Sequence, residues 1–145
     1  HQRILAKQAF AITDELQNNR NYNSDSDSLD EVIAFTAENG KIAIRLAVNS
    51  VLYLKSEGNY VELFHIDSDQ RVQKQLIRNR LKKLNESLPK RWFIHCHKSY
   101  IDNGMQVNRV TGNARNYELI LNYSDVTVPV SRSRSDEVHT FLKNV

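Results

Sequence analysis

The most chemically loaded run in this 145-residue chain is His95-Cys96-His97-Lys98-Ser99. Two histidines bracketing a cysteine raise the question of a metal ion or a thiolate nucleophile. The surrounding Trp92-Phe93-Ile94 and Tyr100-Ile101 read as strand, and on a strand residues 95 and 97 share one face while residue 96 points to the other. All three cannot close around one ion, so no metal site is expected. A nucleophilic Cys96 would need a base and an orienting group near it in space, and the spacing supplies neither. His97-Lys98-Ser99 also matches half of the paired His-x-Ser/Thr pattern of small phosphoesterases, but no second copy exists. With no phosphate-cradling Gly loop and no acidic metal cluster, neither catalysis nor a cofactor is expected.

A second set of polar side chains falls at turns and strand ends: Asn59, Tyr60, His97, Lys98, Arg132 and Arg134. Arg presents a planar fork of donors, Lys a point charge, and Asn and His can donate or accept. Each has a plainer use. Asn59 can supply a turn conformation, Tyr60 and Tyr100 can be sheet aromatics, and His97 can bond within its own turn. Arg132 can pair with Asp136, Arg134 can be solvated, and Asn103 can cage the backbone of its turn. The densest cationic cluster, Arg78, Arg80, Lys82, Lys83, Lys90 and Arg91, reads first as a solvated helix face.

The composition is that of one ordinary folded domain: 40% hydrophobic, 26% charged, 4 Gly and 2 Pro. The longest apolar runs, such as Val51–Leu54, are far short of the ~20 residues that cross a bilayer. Cys96 is the only cysteine, so no intrachain disulfide can form, which fits a reducing cytoplasm. The chain starts at His1 rather than Met, so it is expected to be a fragment lacking an upstream partner. The net charge of +3 hides a division. Residues 1–39 carry three bases against seven acids, a balance of −4, which leaves +7 on residues 40–145. Such an excess suits a polyanionic partner.

The elements that must position the polar set are mostly strands. Residues 4–16 place Ile4, Leu5, Ile12 and Leu16 near one helical face, and residues 17–29 are a polar linker. From Glu31 the period is two, and Asn39-Gly40 turns a first hairpin that returns over Lys41–Leu46. Val51–Lys55, Asn59–Ile66 and a short polar Arg71–Gln75 follow as strands. Ile77, Leu81, Leu84 and Leu88 step by four, three and four, which predicts an amphipathic helix that Pro89 ends. Met105–Val110, Tyr117–Leu121 and Val126–Val130 are further strands. A last helix starts around Ser131–Ser135, with Val138, Phe141 and Leu142 inward.

Three stretches in this order resemble the LytTR DNA-binding domain over roughly residues 30–145. They are Val51-Leu52-Tyr53-Leu54-Lys55-Ser56-Glu57-Gly58-Asn59-Tyr60-Val61; then Leu88-Pro89, Phe93 and His97-Lys98-Ser99-Tyr100-Ile101-Asp102-Asn103; then Val128-Pro129-Val130-Ser131-Arg132. The resemblance implies a mainly β fold with short helices, an elongated β-sheet sandwich, in which connecting segments rather than a recognition helix enter successive major grooves. It implies base reading by the segments at Asn59-Tyr60, at His97-Lys98 and at Arg132; Arg134, read from its own position, is a phosphate contact or merely solvated. Many relatives carry Arg or Asn where this chain has Lys98. Implied partners are double-stranded DNA in direct repeats, a second copy of the chain on that DNA, and an absent receiver, sensory or membrane-anchoring segment upstream. Residues 1–29 would then be an N-terminal helix and linker, and residues 30–145 the DNA-binding domain. The alternative is a β-rich module that binds protein or single-stranded nucleic acid through sheet aromatics.

Overall fold

A computed structural model describes residues 31–113 and 116–145, so the helix and linker expected over residues 1–29 lie outside the described residues. Ten strands and two short α-helices follow in order: β1 (Val32–Thr36), β2 (Ile42–Ala47), β3 (Val51–Glu57), β4 (Tyr60–Ile66), β5 (Val72–Arg78), α1 (Leu81–Ser87), β6 (Phe93–His97), β7 (Tyr100–Asn103), β8 (Val107–Thr111), β9 (Glu118–Leu121), β10 (Thr127–Pro129) and α2 (Ser135–Asn144). They form three antiparallel sheets: the β1-β2 hairpin, a five-stranded sheet in the order β5-β4-β3-β7-β6, and a three-stranded sheet in the order β10-β9-β8. The mainly β architecture read from the sequence is what is found.

The burial pattern follows from the residue types. In β1 only Ile33 and Phe35 are buried, so alternate residues face the core. The central strand β3 opens with four buried residues, Val51-Leu52-Tyr53-Leu54, because a strand covered on both faces needs no polar alternation. Val61, Leu63, Ile77, Ile101 and Cys96 continue this core across the large sheet, and Leu119, Leu121 and Val128 extend it into the small one. Val138 and Leu142 of α2 are buried against it, with Phe141 packed at its margin. At Gly104 a Cβ atom would sit 2.6 Å from a ring carbon of Phe141, so only glycine lets α2 approach this closely.

Two details differ from the sequence pattern. Ile77 belongs to β5, where it pairs with Val61, and not to a helix. The helix starts at Leu81; Asn79 intervenes, its Oδ1 accepting from the Arg80 N–H at 2.7 Å and its Nδ2 donating to the Thr36 carbonyl at 2.9 Å. The four-residue step from Ile77 to Leu81 reflects two different elements burying a residue in one core. Asn103 does cage the backbone of a turn, but it is the Gly104–Gln106 turn after β7 and not the one before it. It lies at the far end of β7, where its Nδ2 donates to the carbonyls of Val48 and Val51 at 2.8 and 2.7 Å and its Oδ1 accepts from the Met105 N–H at 3.0 Å.

Candidate nucleic-acid interface

The β3–β4 turn closes on the Glu57–Tyr60 pair, leaving Gly58-Asn59 as a two-residue loop. Gly58 has φ +60, and Asn59 is not among the positive-φ residues. This is the type II′ pattern, in which a glycine in the first central position supplies the left-handed conformation. Gly58 therefore meets the turn's conformational demand. The Asn59 side chain is exposed, and its amide makes no hydrogen bond among the described residues. Tyr60 beside it is 41% exposed, with the Arg78 guanidinium carbon 5.8 Å from its ring centroid. Arg78 is itself tied to Glu38 at 2.8 Å.

The β6–β7 turn is more heavily braced. His97 pairs with Tyr100, so Lys98 and Ser99 form the tip. The Ser99 N–H donates to Nδ1 of His97 at 3.0 Å, Nε2 of His95 lies 3.3 Å from the Lys98 carbonyl, and the Ser99 carbonyl accepts from the Ser56 N–H at 2.9 Å. Since a carbonyl only accepts, His95 carries its proton on Nε2. Since Nδ1 of His97 accepts, its Nε2–H is left as a donor. The pairing of Lys55 with Tyr100 sets β3 against β7 so that both turns leave the large sheet at the same end. Their centres are two strand spacings apart, about 10 Å.

Arg132 reaches this end from the small sheet. After β10, the Ser131 N–H donates to the Cys96 carbonyl at 2.9 Å, and the Cys96 thiol lies 3.7 Å from the Pro129 carbonyl. Arg132 then sits exposed in a short 3-10 turn, with no ion pair to Asp136 or to any other described residue. It shares an open groove of about 530 Å3 with His97, Val130 and Ser131. Lys98 is also exposed and makes no ion pair among the described residues. The structure thus brings Asn59, Tyr60, His97, Lys98 and Arg132 to one end of the molecule. Arg134 lies behind them, half-buried, with Nη1 donating to the His95 carbonyl.

The cationic cluster that looked like one helix face is dispersed. Arg78 pairs with Glu38, Lys90 donates to the Asn85 carbonyl at 2.8 Å, and the Arg91 guanidinium carbon lies 4.7 Å from the Trp92 ring centroid. Arg80, Lys82 and Lys83 remain exposed around α1. Two residues gain significance only in three dimensions. Lys55 places its Nζ 5.9 Å from the Tyr100 ring centroid, between the two turns. His95 joins the Lys98 carbonyl to Arg134. The strand alternation placed His95 on one face with His97, but it carried no sign of the neighbours of either Lys55 or His95.

The electrostatics keep the site neutral where it is braced and positive at its tips. Burial, and then the cations Arg134 and Lys98, hold the His97 pKa below the usual imidazole value. Burial, opposed by the bond to Lys98 and aided by Arg134 and Lys90, lowers that of His95. Burial also pushes the Cys96 thiol up, with Asp102 adding to the effect, so Cys96 is an inert core thiol. A depressed histidine pKa means that the unfolded chain binds protons first, so stability is fully present above about pH 6.5 and declines as pH falls below it. Protonating His97 also removes the acceptor for the Ser99 N–H. The tip should therefore loosen as pH falls below neutral, with a lower protection factor for the Ser99 amide. Amide exchange corrected for its intrinsic pH dependence checks this; an unchanged protection factor at Ser99 would separate His97 from the tip's geometry.

The family described as LytTr DNA-binding domain matches residues 41–143. The chain belongs to the LytTR family. Among solved structures, the LytTr DNA-binding domain of a putative methyl-accepting/DNA response regulator from Bacillus cereus superposes with a TM-score of 0.61 at 21% identity, over 77% of this chain and 95% of that one. At that identity the likeness speaks for the fold. No curated protein matches the chain. A LytTR domain is a DNA-binding domain. In this LytTR domain, no helix among the described residues is long and apolar enough to cross a membrane.

Proposed function

We propose that this LytTR domain recognises double-stranded DNA by base sequence as the output module of a cytoplasmic transcription regulator. Arg132, Lys98 and Asn59 or its neighbour read base edges in adjacent grooves. His97 donates from Nε2, and Tyr60 lines the same end. Two copies of the chain occupy a direct repeat, and the segment that controls them, a receiver, a sensor or a membrane anchor, lies upstream. The observation that carries this reading is the convergence of three separately encoded tips at one end of the fold, each with unengaged donors. Nothing comparable favours a single-strand platform: Tyr53, which stacks on Phe64 at 4.5 Å, is only 2% exposed.

Selection of bound sites from a pool of random duplexes tests the proposal. The expected result is a short motif recovered twice in the same orientation; no enriched motif, or preference for single strands, would contradict it. The exposed lysines of α1 provide a contrasting case. Lys82→Ala should weaken all duplexes equally and lower the salt slope by about one unit where Lys82 touches phosphate. An unchanged slope would place Lys82 off the DNA.

A further inference from the structure

Between the two cationic tips lies a small bonded assembly that makes no use of the groups facing outward. Arg134 follows Arg132 by two residues but points back into the fold, where Nη1 donates to the carbonyl of His95. The ring of that same His95 reaches forward to the carbonyl of Lys98 at 3.3 Å. Alongside, the Ser131 N–H bonds the Cys96 carbonyl at 2.9 Å. The segment that bears Arg132 is thus joined at two points to the strand that leads into Lys98. Arg134 is half-buried, whereas Lys98 and Arg132 on either side are exposed.

We propose that Arg134 and His95 are positioning residues that fix the distance between the Lys98 and Arg132 tips, so that removing either one relaxes base selectivity at both contacts together. The physical reason is geometric. A two-bond contact to a base edge depends on donor placement far more steeply than attraction to phosphate does. Two tips carried by different sheets hold their separation only if something couples those sheets. Arg suits this task because its guanidinium can span from the 3-10 turn to a strand carbonyl while keeping its charge half-solvated. His95 suits it because its Nε2–H donates without adding a full positive charge between Arg134 and Lys98.

This inference rests on the base-reading function proposed above, and the test separates the two. The full chain is compared with Arg134→Gln, His95→Phe and His95→Gln. The Phe variant keeps an aromatic ring but loses the donor, while the Gln variant at 95 restores an N–H near the Nε2 position. Affinities are measured on the selected duplex, on duplexes altered at the base pairs facing Lys98 or Arg132, and on random duplex. Amide exchange of residues 98, 99 and 132 is followed without DNA.

Arg134→Gln and His95→Phe are each expected to lower selectivity about tenfold at both positions, with the salt slope unchanged and faster exchange at all three amides. His95→Gln should recover most of that loss. An Arg134→Gln variant that loses equally on all duplexes and drops the salt slope by about one would overturn the inference and make Arg134 a phosphate contact. Wild-type exchange in His95→Phe would overturn it too. If the unaltered chain shows no base preference, the base-reading function fails and the positioning role falls with it, whereas amide protection that still depends on Arg134 would show the bonded assembly to be purely structural.

Discussion

Asn103→Ala is expected to destabilise the domain by about 2–5 kcal/mol, the largest effect of any single polar substitution considered, because it strands three buried backbone groups at once. The side chain is fully buried and donates to the carbonyls of Val48 and Val51 while accepting from the Met105 N–H. Those partners lie just after β2, at the start of β3 and on the segment leading into β8, so one amide ties together segments that adjoin all three sheets. A native stability of about 5–15 kcal/mol leaves little margin for such a loss. Asn103→Asp should be worse than Ala, since it sets a carboxylate against two carbonyl oxygens in a site closed to water. Denaturant titration measures both changes. Selectivity per folded molecule should be unchanged, because Asn103 lies at the opposite end of β7 from Lys98. A stability within about 0.5 kcal/mol of the parent would mean the amide's bonds are replaceable by water.

Arg132→Ala is expected to relax the preference at particular base pairs by about 1–3 kcal/mol, which is the value of a good bidentate contact. The guanidinium is exposed, has no ion pair among the described residues, and stands at the groove it shares with His97. Its removal leaves no buried group unsatisfied, so the fold should be nearly indifferent to it. Arg132→Lys separates charge from geometry. It should keep the salt slope and most of the affinity for random duplex, yet lose much of the preference, because an ammonium cannot present two parallel donors. Equal losses on specific and random duplex in both variants would show Arg132 to be a phosphate contact only.

How far the sequence disclosed these arrangements depends on the kind of information each required. Alternation in Val32–Thr36 and the apolar Val51–Leu54 marked strands and inward faces, since period and composition are local properties. The Gly58-Asn59 turn and the Val128-Pro129-Val130-Ser131-Arg132 strand end were legible through the family resemblance. Sheet partnership was not. β3 pairs with β7 as well as with β4, and the sequence carries no sign that Lys55 will sit opposite Tyr100. Ile77 misled because residues in a strand and in a helix can both point into one core, giving a helical spacing by coincidence. The cationic run from Arg78 to Arg91 misled because three of its members have partners that local charge counting cannot see: Glu38, the Asn85 carbonyl and the Trp92 ring. Likewise, the pattern offers Arg134 only as a phosphate contact or a solvated neighbour of Arg132, because its bond to a carbonyl 39 residues earlier is not a local property.

The convergence of the three tips on one duplex is open to direct observation by following the backbone amide resonances of the isotopically labelled chain during titration with a selected duplex. Residues 58–60, 97–99 and 131–132 should shift together and saturate at one stoichiometry, while residues of β8 and β9 stay in place. Shifts confined to α1, or present at only one tip, would mean that no single duplex engages all three, and the proposed mode of recognition would be wrong.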